Sequence, residues 1–169
     1  MKLILALTAI VMFSVWGFIK SKKLSDRVKA LQTVRIFLEK LKAYLRFERL
    51  TTPQIFSKLS DAKELSELSF ISECAKKLEQ NPNFPKAWGE ALDNYKKEEV
   101  LSDEDIRELY LLGGFVGSTD IEGQLNGINL VDEQVLLKLN DADENYNVKG
   151  KLYRSLGVAL GLALGVIII

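Results

Sequence analysis

Residues 24–45 read LSDRVKALQTVRIFLEKLKAYL, and their spacing decides the fold class. Leu24, Val28, Leu31, Val34, Leu38, Leu41 and Leu45 recur in alternating steps of three and four, the repeat of a long helix with one apolar face. It is not a regular coiled coil, because a strict heptad from Leu24 puts Arg35 and Lys42 at core positions. Thr51-Thr52-Pro53 then ends the run and starts the next helix, with Thr52 expected as its cap and Pro53 at the first helical position.

Helical signals continue downstream. A third helix is expected over residues 64–78, closed by Asn81-Pro82, and Phe84-Pro85 opens another that carries Ala87, Trp88, Ala91, Leu92 and Tyr95. Ser102-Asp103-Glu104-Asp105 reads as a capping box before a helix over 106–115, which Gly113, Gly114 and Gly117 break. Thr119-x-x-Glu122 reads as a second capping box, launching Ile121, Leu125, Ile128, Val131, Val135, Leu139 and Ala142. No proline stops that pattern from running on into Tyr153, and no stretch alternates with period two. The fold class is therefore all-α.

The two ends differ from this middle. Leu3 to Ile19 carries no charge, and as a helix it would run about 26 Å, close to the hydrocarbon thickness of a bilayer. Trp16 and Phe18 suit the interfacial belt, and Lys20, Lys22 and Lys23 follow at once. A cleaved signal peptide is the rival reading, but no small-x-small site follows the apolar core. The C-terminal run from Leu156 to Ile169 is shorter, and spans only if it extends back through Leu152 with Arg154 reaching toward the headgroups. Gly157, Gly161 and Gly165 repeat every four residues and share one face, the pattern that lets membrane helices approach closely. The partner of that face could be the N-terminal helix, another copy of the chain or another protein. The expected organisation is an anchor over 1–23, a cytoplasmic helical domain over 24–150 and a second membrane segment over 151–169.

Charge supports this division. All 23 acids lie between Asp26 and Glu144, whereas only 16 of the 23 bases do, leaving that segment seven charges negative. The other seven bases, Lys2, Lys20, Lys22, Lys23, Lys149, Lys151 and Arg154, border the apolar ends. By the positive-inside rule the central segment is cytoplasmic. Its acidity disfavours nucleic acid as a partner.

Catalytic chemistry finds little to work with. The chain has no histidine, and the single cysteine, Cys74, can form no internal disulfide and reads as a small core residue. Dyads and triads built on His are excluded, as are Cys/His metal sites, so neither cofactor nor metal is expected. Gly113-Gly114-Phe-Val-Gly117 lacks the Gly-Lys-Ser/Thr ending of a phosphate loop, and Asp120 follows where an anion would bind. Asp141-x-Asp143-x-Asn145 opens like a calcium loop but meets Tyr146 and Leu152 at its two decisive positions. Asp103, Glu104 and Asp105 sit at a helix start, where the macrodipole favours them. Trp88 and Tyr95, seven apart, share a helical face that is core unless Trp88 is exposed as a protein-binding anchor.

Taken in order along the chain, several of these elements resemble the stage III sporulation protein AB family. The carrying residues are Thr52-Pro53, Ala87-Trp88-Gly89-Glu90-Ala91-Leu92, then Leu112-Gly113 with Gly117, Asp120 and Gln124. Lys151-Leu152-Tyr153-Arg154-Ser155-Leu156-Gly157 leading into the glycine-spaced tail is the most specific piece. Gln54 stands where the family pattern calls for an apolar residue. The resemblance implies a helical bundle similar to the cytoplasmic domain of the type II secretion inner-membrane platform protein (the F protein), flanked by transmembrane helices. It also implies a non-catalytic part in the complex built between mother cell and forespore, in the mother-cell membrane around the forespore. Its partners would be other sporulation proteins, among them an ATPase from the same operon, with self-association also possible. The candidate contact residues are Trp88, Gly113, Gly117, Asp120, Gln124, Arg154, Gly157, Gly161 and Gly165. The alternative is an exported helical protein-binding module left after signal-peptide cleavage.

Overall fold

The computed structural model describes residues 2–48 and 50–168, with side chains except at 2–6, 9, 164, 167 and 168. Among them all regular structure is helical: α1 (Lys2–Phe47), α2 (Thr52–Ser60), α3 (Ser69–Gln80), α4 (Phe84–Tyr95), α5 (Asp103–Tyr110), α6 (Leu112–Phe115), α7 (Ile121–Asn145) and α8 (Lys151–Ile168). Single 3-10 turns occupy Lys63–Leu65 and Lys96–Glu98, and a π-helical segment, Tyr146–Gly150, joins α7 to α8. The chain divides into two compact units: a central unit, Lys29–Leu139, and a terminal unit that combines Met1–Val28 with Asn140–Ile169.

In the central unit the periodic face of α1 does what its spacing predicts. Leu31, Val34, Phe37, Leu38, Leu41 and Leu45 are buried, as are Ile55, Phe56 and Leu59 of α2, Phe70, Ile71 and Cys74 of α3, and Leu125, Ile128, Val131 and Val135 of α7, and the Phe37 ring meets those of Phe56 and Phe70. Trp88 of α4 is the hub. Its ring meets Phe37, Phe56, Phe70 and Phe84 with centroids 5.4–5.9 Å away, and its indole N–H donates to the Leu109 carbonyl at 2.7 Å. Each aromatic pair adds about 0.5–1.5 kcal/mol beyond its burial. The indole bond removes the penalty of an unpaired donor in that apolar setting.

Arg35 and Lys42, which spoil the heptad, converge on one acid. Arg35 Nε donates to Asp132 Oδ1 at 2.9 Å and Lys42 Nζ to Asp132 Oδ2 at 3.2 Å, clamping α1 to α7. Lys42 also reaches Glu39 and Asn129.

Local details correct several expected boundaries. Thr51, not Thr52, caps α2, because the Gln54 side chain reaches back to the Thr51 N–H at 3.0 Å. The expected helix over 64–78 is split: the turn Lys63–Leu65 precedes α3, which starts at Ser69. The capping box at Ser102 and Asp105 forms in both directions, at 2.9 and 3.2 Å, but α5 pauses at Leu111 before the short α6. α7 is capped by Asp120 rather than Thr119, since Asp120 Oδ1 accepts from Gly123 N at 3.0 Å. The acidic stretch 141–145 is helical as expected, with the Asn145 amide donating to the Asp141 carbonyl.

Among the described residues no helix is long and apolar enough to cross a membrane. The expected transmembrane helices over 1–23 and 151–169 are therefore not found among the described residues; the side chains of residues 1–6, 9, 164 and 167–169 lie outside that set.

Candidate functional site

The terminal unit is held together by main chain meeting main chain. A Cβ on Gly157 would come within 2.6 Å of the Phe13 carbonyl oxygen and 3.2 Å of Gly17 Cα. One on Gly161 would come within 2.9 Å of Ile10 Cα, and one on Gly17 within 2.4 Å of the Tyr153 carbonyl oxygen. Real Cβ atoms do not approach that closely, so only glycine permits this contact. Gly157 and Gly161 of α8 therefore pack on the Ile10, Phe13 and Gly17 stretch of α1, and Gly165 is buried on the same face. Of the three partners open at sequence level, the chain itself takes Gly157 and Gly161. A matching signal on α1 was readable and passed over: Gly17 and Ser21 are also four residues apart.

Beyond the glycines a polar contact closes the seam. Ser21 is fully buried, and its Oγ accepts from Arg154 Nε at 2.8 Å. Arg154 Nη2 donates to the Tyr146 hydroxyl at 3.2 Å. Arg154 is thus tied to two side chains of its own unit, where sequence reasoning had it reaching outward alone. The π segment contributes here: its wider turn changes the face presented from α7 to α8. Gly150, at its end, leaves no room for a Cβ, which would stand 2.9 Å from the Tyr146 ring and 3.3 Å from Ser21 Oγ.

Large apolar side chains point the other way. Val11, Met12, Val15, Trp16, Phe18 and Ile19 on α1, and Leu152, Leu156, Val158, Leu160, Leu162 and Val166 on α8, are all exposed, Met12 at 73% and Val166 at 76%. The seam of the pair is thus built from glycines and Ser21, while its large apolar side chains stand exposed. Trp16 and Tyr153 meet edge to face with centroids 6.4 Å apart. Beside them a groove of about 240 Å³ is walled by Met12, Phe13, Trp16 and Leu160. Lys20, Lys22, Lys23, Lys149 and Lys151 are exposed at the same end of the pair as Ser21 and Arg154.

The remaining candidates lie in the central unit, Trp88 and Gly113 in its core and Gly117, Asp120 and Gln124 at the turn between α6 and α7. Trp88 is 0% exposed, so the core reading of that residue holds. Gly113 lies against it: a Cβ there would touch Trp88 Cδ1 at 3.4 Å and Pro85 Cα at 3.7 Å. Gly117 adopts φ +76°, and its N–H donates to Gln124 Oε1 at 2.9 Å, while Gln124 Nε2 donates to the Thr119 carbonyl at 2.8 Å. Gln124 and Asp120 therefore shape the turn and cap α7. The Arg35–Asp132–Lys42 clamp went unread, because a residue on α1 cannot announce its partner on α7.

Cys74 is fully buried, and burial pushes its thiol up to about 12. Among the described residues no group of three or more His, Cys, Asp or Glu is placed to hold a metal ion.

Fold and seam together define an all-helical protein: an aromatic-centred helical domain joined to a glycine-seamed pair of terminal helices that shows its apolar side chains outward. The chain belongs to the stage III sporulation protein AB family, whose model matches residues 2–169, nearly the whole sequence. Membership gives it a role at stage III of sporulation. No curated protein and no solved structure matches it.

Proposed function

We propose that this protein is a non-catalytic assembly component: the terminal unit sits in the membrane and the central helical unit serves as a cytoplasmic docking domain. The observation that carries the reading is the inverted surface of the terminal unit, glycine and serine inside and Met12, Trp16, Leu160 and Val166 outside. In water that surface is a liability; in hydrocarbon it is the ordinary state of a packed helix pair. The basic flanks support a cytoplasmic side for the central segment. The resemblance to the type II secretion platform domain supports the finer reading: a component of the complex between mother cell and forespore that docks an ATPase encoded beside it, in the membrane surrounding the forespore.

Export after cleavage near residue 20 fits less well, since it would discard Ile10, Phe13 and Gly17 and leave the α8 glycine face without its partner.

The direct test is co-purification. Full-length protein solubilised in a mild detergent is expected to bring down the neighbouring ATPase, and substitutions on the exposed surface of the central unit should abolish the association. An ATPase that never co-purifies, from membranes in which both proteins are present, contradicts the docking role.

A further inference from the structure

We infer that the terminal unit binds an anionic phospholipid specifically, with an acyl chain in the groove of Met12, Phe13, Trp16 and Leu160 and the headgroup against the bases at one end of the helix pair. The inference rests on the membrane reading above and goes further by naming what the surface selects.

The register of α1 and α8 supplies the first argument. Ile10 meets Gly161, Gly17 meets Tyr153 and Gly157, and Ser21 meets Gly150 and Arg154, so the two helices run antiparallel with these pairs at matching levels. Lys20 and Lys22 on α1 therefore share a level with Lys151 and Arg154 on α8 and with Lys149 just before it. Five bases stand within about two turns, and no acid occurs in residues 1–25 or 145–169. Along the chain the next acids, Asp26 and Glu144, come on the other side of the bases from the apolar runs. Such a band attracts an anionic headgroup more strongly than a zwitterionic one, whose ammonium offsets its phosphate. Arg154 is held by Ser21 and Tyr146, so its guanidinium is oriented before any ligand arrives.

The groove supplies the second argument. It lies between the helices, is walled by four apolar side chains and has a volume of about 240 Å³. Met12 and Phe13 precede Lys20 by seven or eight residues, about 11 Å along the helix at roughly 1.5 Å per residue. That separates a phosphate from the upper part of its own acyl chain. Trp16 and Tyr153 fill the level between, where aromatic rings sit at the interface.

The experiment is native mass spectrometry of the full-length protein, released from membranes containing equal phosphatidylglycerol and phosphatidylcholine. Phosphatidylglycerol should be retained at least tenfold over phosphatidylcholine. Lys20→Gln and Lys22→Gln together should reduce that ratio to near one, since each base near an acidic surface is worth roughly fivefold in binding. Leu160→Trp, which fills the groove, should lower retention of both lipids. Equal retention of the two lipids by the unaltered protein overturns the inference while leaving membrane residence intact. Protein that alkaline carbonate strips from the membrane overturns the membrane reading and the inference with it. If the lysine variants fail to accumulate, the ratio measured on the unaltered protein still decides.

Discussion

Gly17 and Gly157 touch through their main chains: a Cβ built on Gly17 stands 3.2 Å from Gly157 Cα. The contact joins residues 140 positions apart and fixes how α1 and α8 meet, with Gly161 on Ile10 on one side and Arg154 on Ser21 on the other. Gly157→Leu should therefore separate the pair. Overpacking a close seam costs about 1–3 kcal/mol. The expected result is a lower midpoint in thermal denaturation of the detergent-solubilised protein, with Val158→Leu, on the exposed side, as the neutral control. Equal midpoints for the two variants would contradict the seam.

The Asp132 clamp makes a prediction about pH. Burial opposes ionisation of Asp132, but hydrogen bonds and charge from Arg35 and Lys42 outweigh it, and its pKa lies below the ordinary carboxylate value. A carboxylate whose folded pKa is depressed stabilises the fold above its unfolded pKa, and that stability is lost as pH falls through the folded pKa. The loss therefore falls below about pH 4. Asp132→Asn should cost about 1–2 kcal/mol at neutral pH, the sites being only partly buried, and should flatten stability in that acid range. Urea titrations at pH 7 and pH 3 measure both, and an unchanged acid profile would rule out Asp132 as its source.

The turn before α7 depends on Gln124 and Gly117. Gln124→Ala leaves the Gly117 N–H and the Thr119 carbonyl without their partner, a loss of about 1–3 kcal/mol. Gly117→Ala adds the strain of φ +76° and brings a Cβ to 3.3 Å from Thr52 Oγ1, a further cost of about 1–2 kcal/mol. Because both act on one turn, the double variant should cost less than the sum, which a double-mutant cycle reads directly.

Cys74 should be silent toward thiol reagents in the folded protein. It is buried, and with its thiol pushed up to about 12 it holds almost no thiolate at pH 8. Labelling with a chromogenic disulfide should be negligible until denaturant is added and then reach one thiol per chain. Rapid labelling of the native protein would show that α3 opens.

How much of this was legible depended on whether the cause is local. The periodic face of α1 and the Ser102–Asp105 box are properties of single segments, and both read correctly. Caps slipped by one residue where a neighbour competed: Gln54 draws the start of α2 to Thr51, and Asp120 outcompetes Thr119 at α7. The glycine face of α8 was visible as a face, but its partner was not, because spacing says where a helix is thin and not what fills the gap. Gly17 and Ser21 carried the answer in the same code. Arg35 and Lys42 looked like defects in a repeat until Asp132, nearly a hundred residues away, supplied their reason. The π segment had no sequence signal at all.

The central claim is that the terminal unit lies in the membrane while the central unit faces the cytoplasm. Single cysteines at Val11, Val158 and Lys63, each an exposed position, placed in a Cys74→Ala background, test it most directly. In inside-out vesicles a membrane-impermeant maleimide should label Lys63→Cys at once, and Val11→Cys and Val158→Cys only after detergent is added. Labelling of all three at equal rates in intact vesicles would contradict the account.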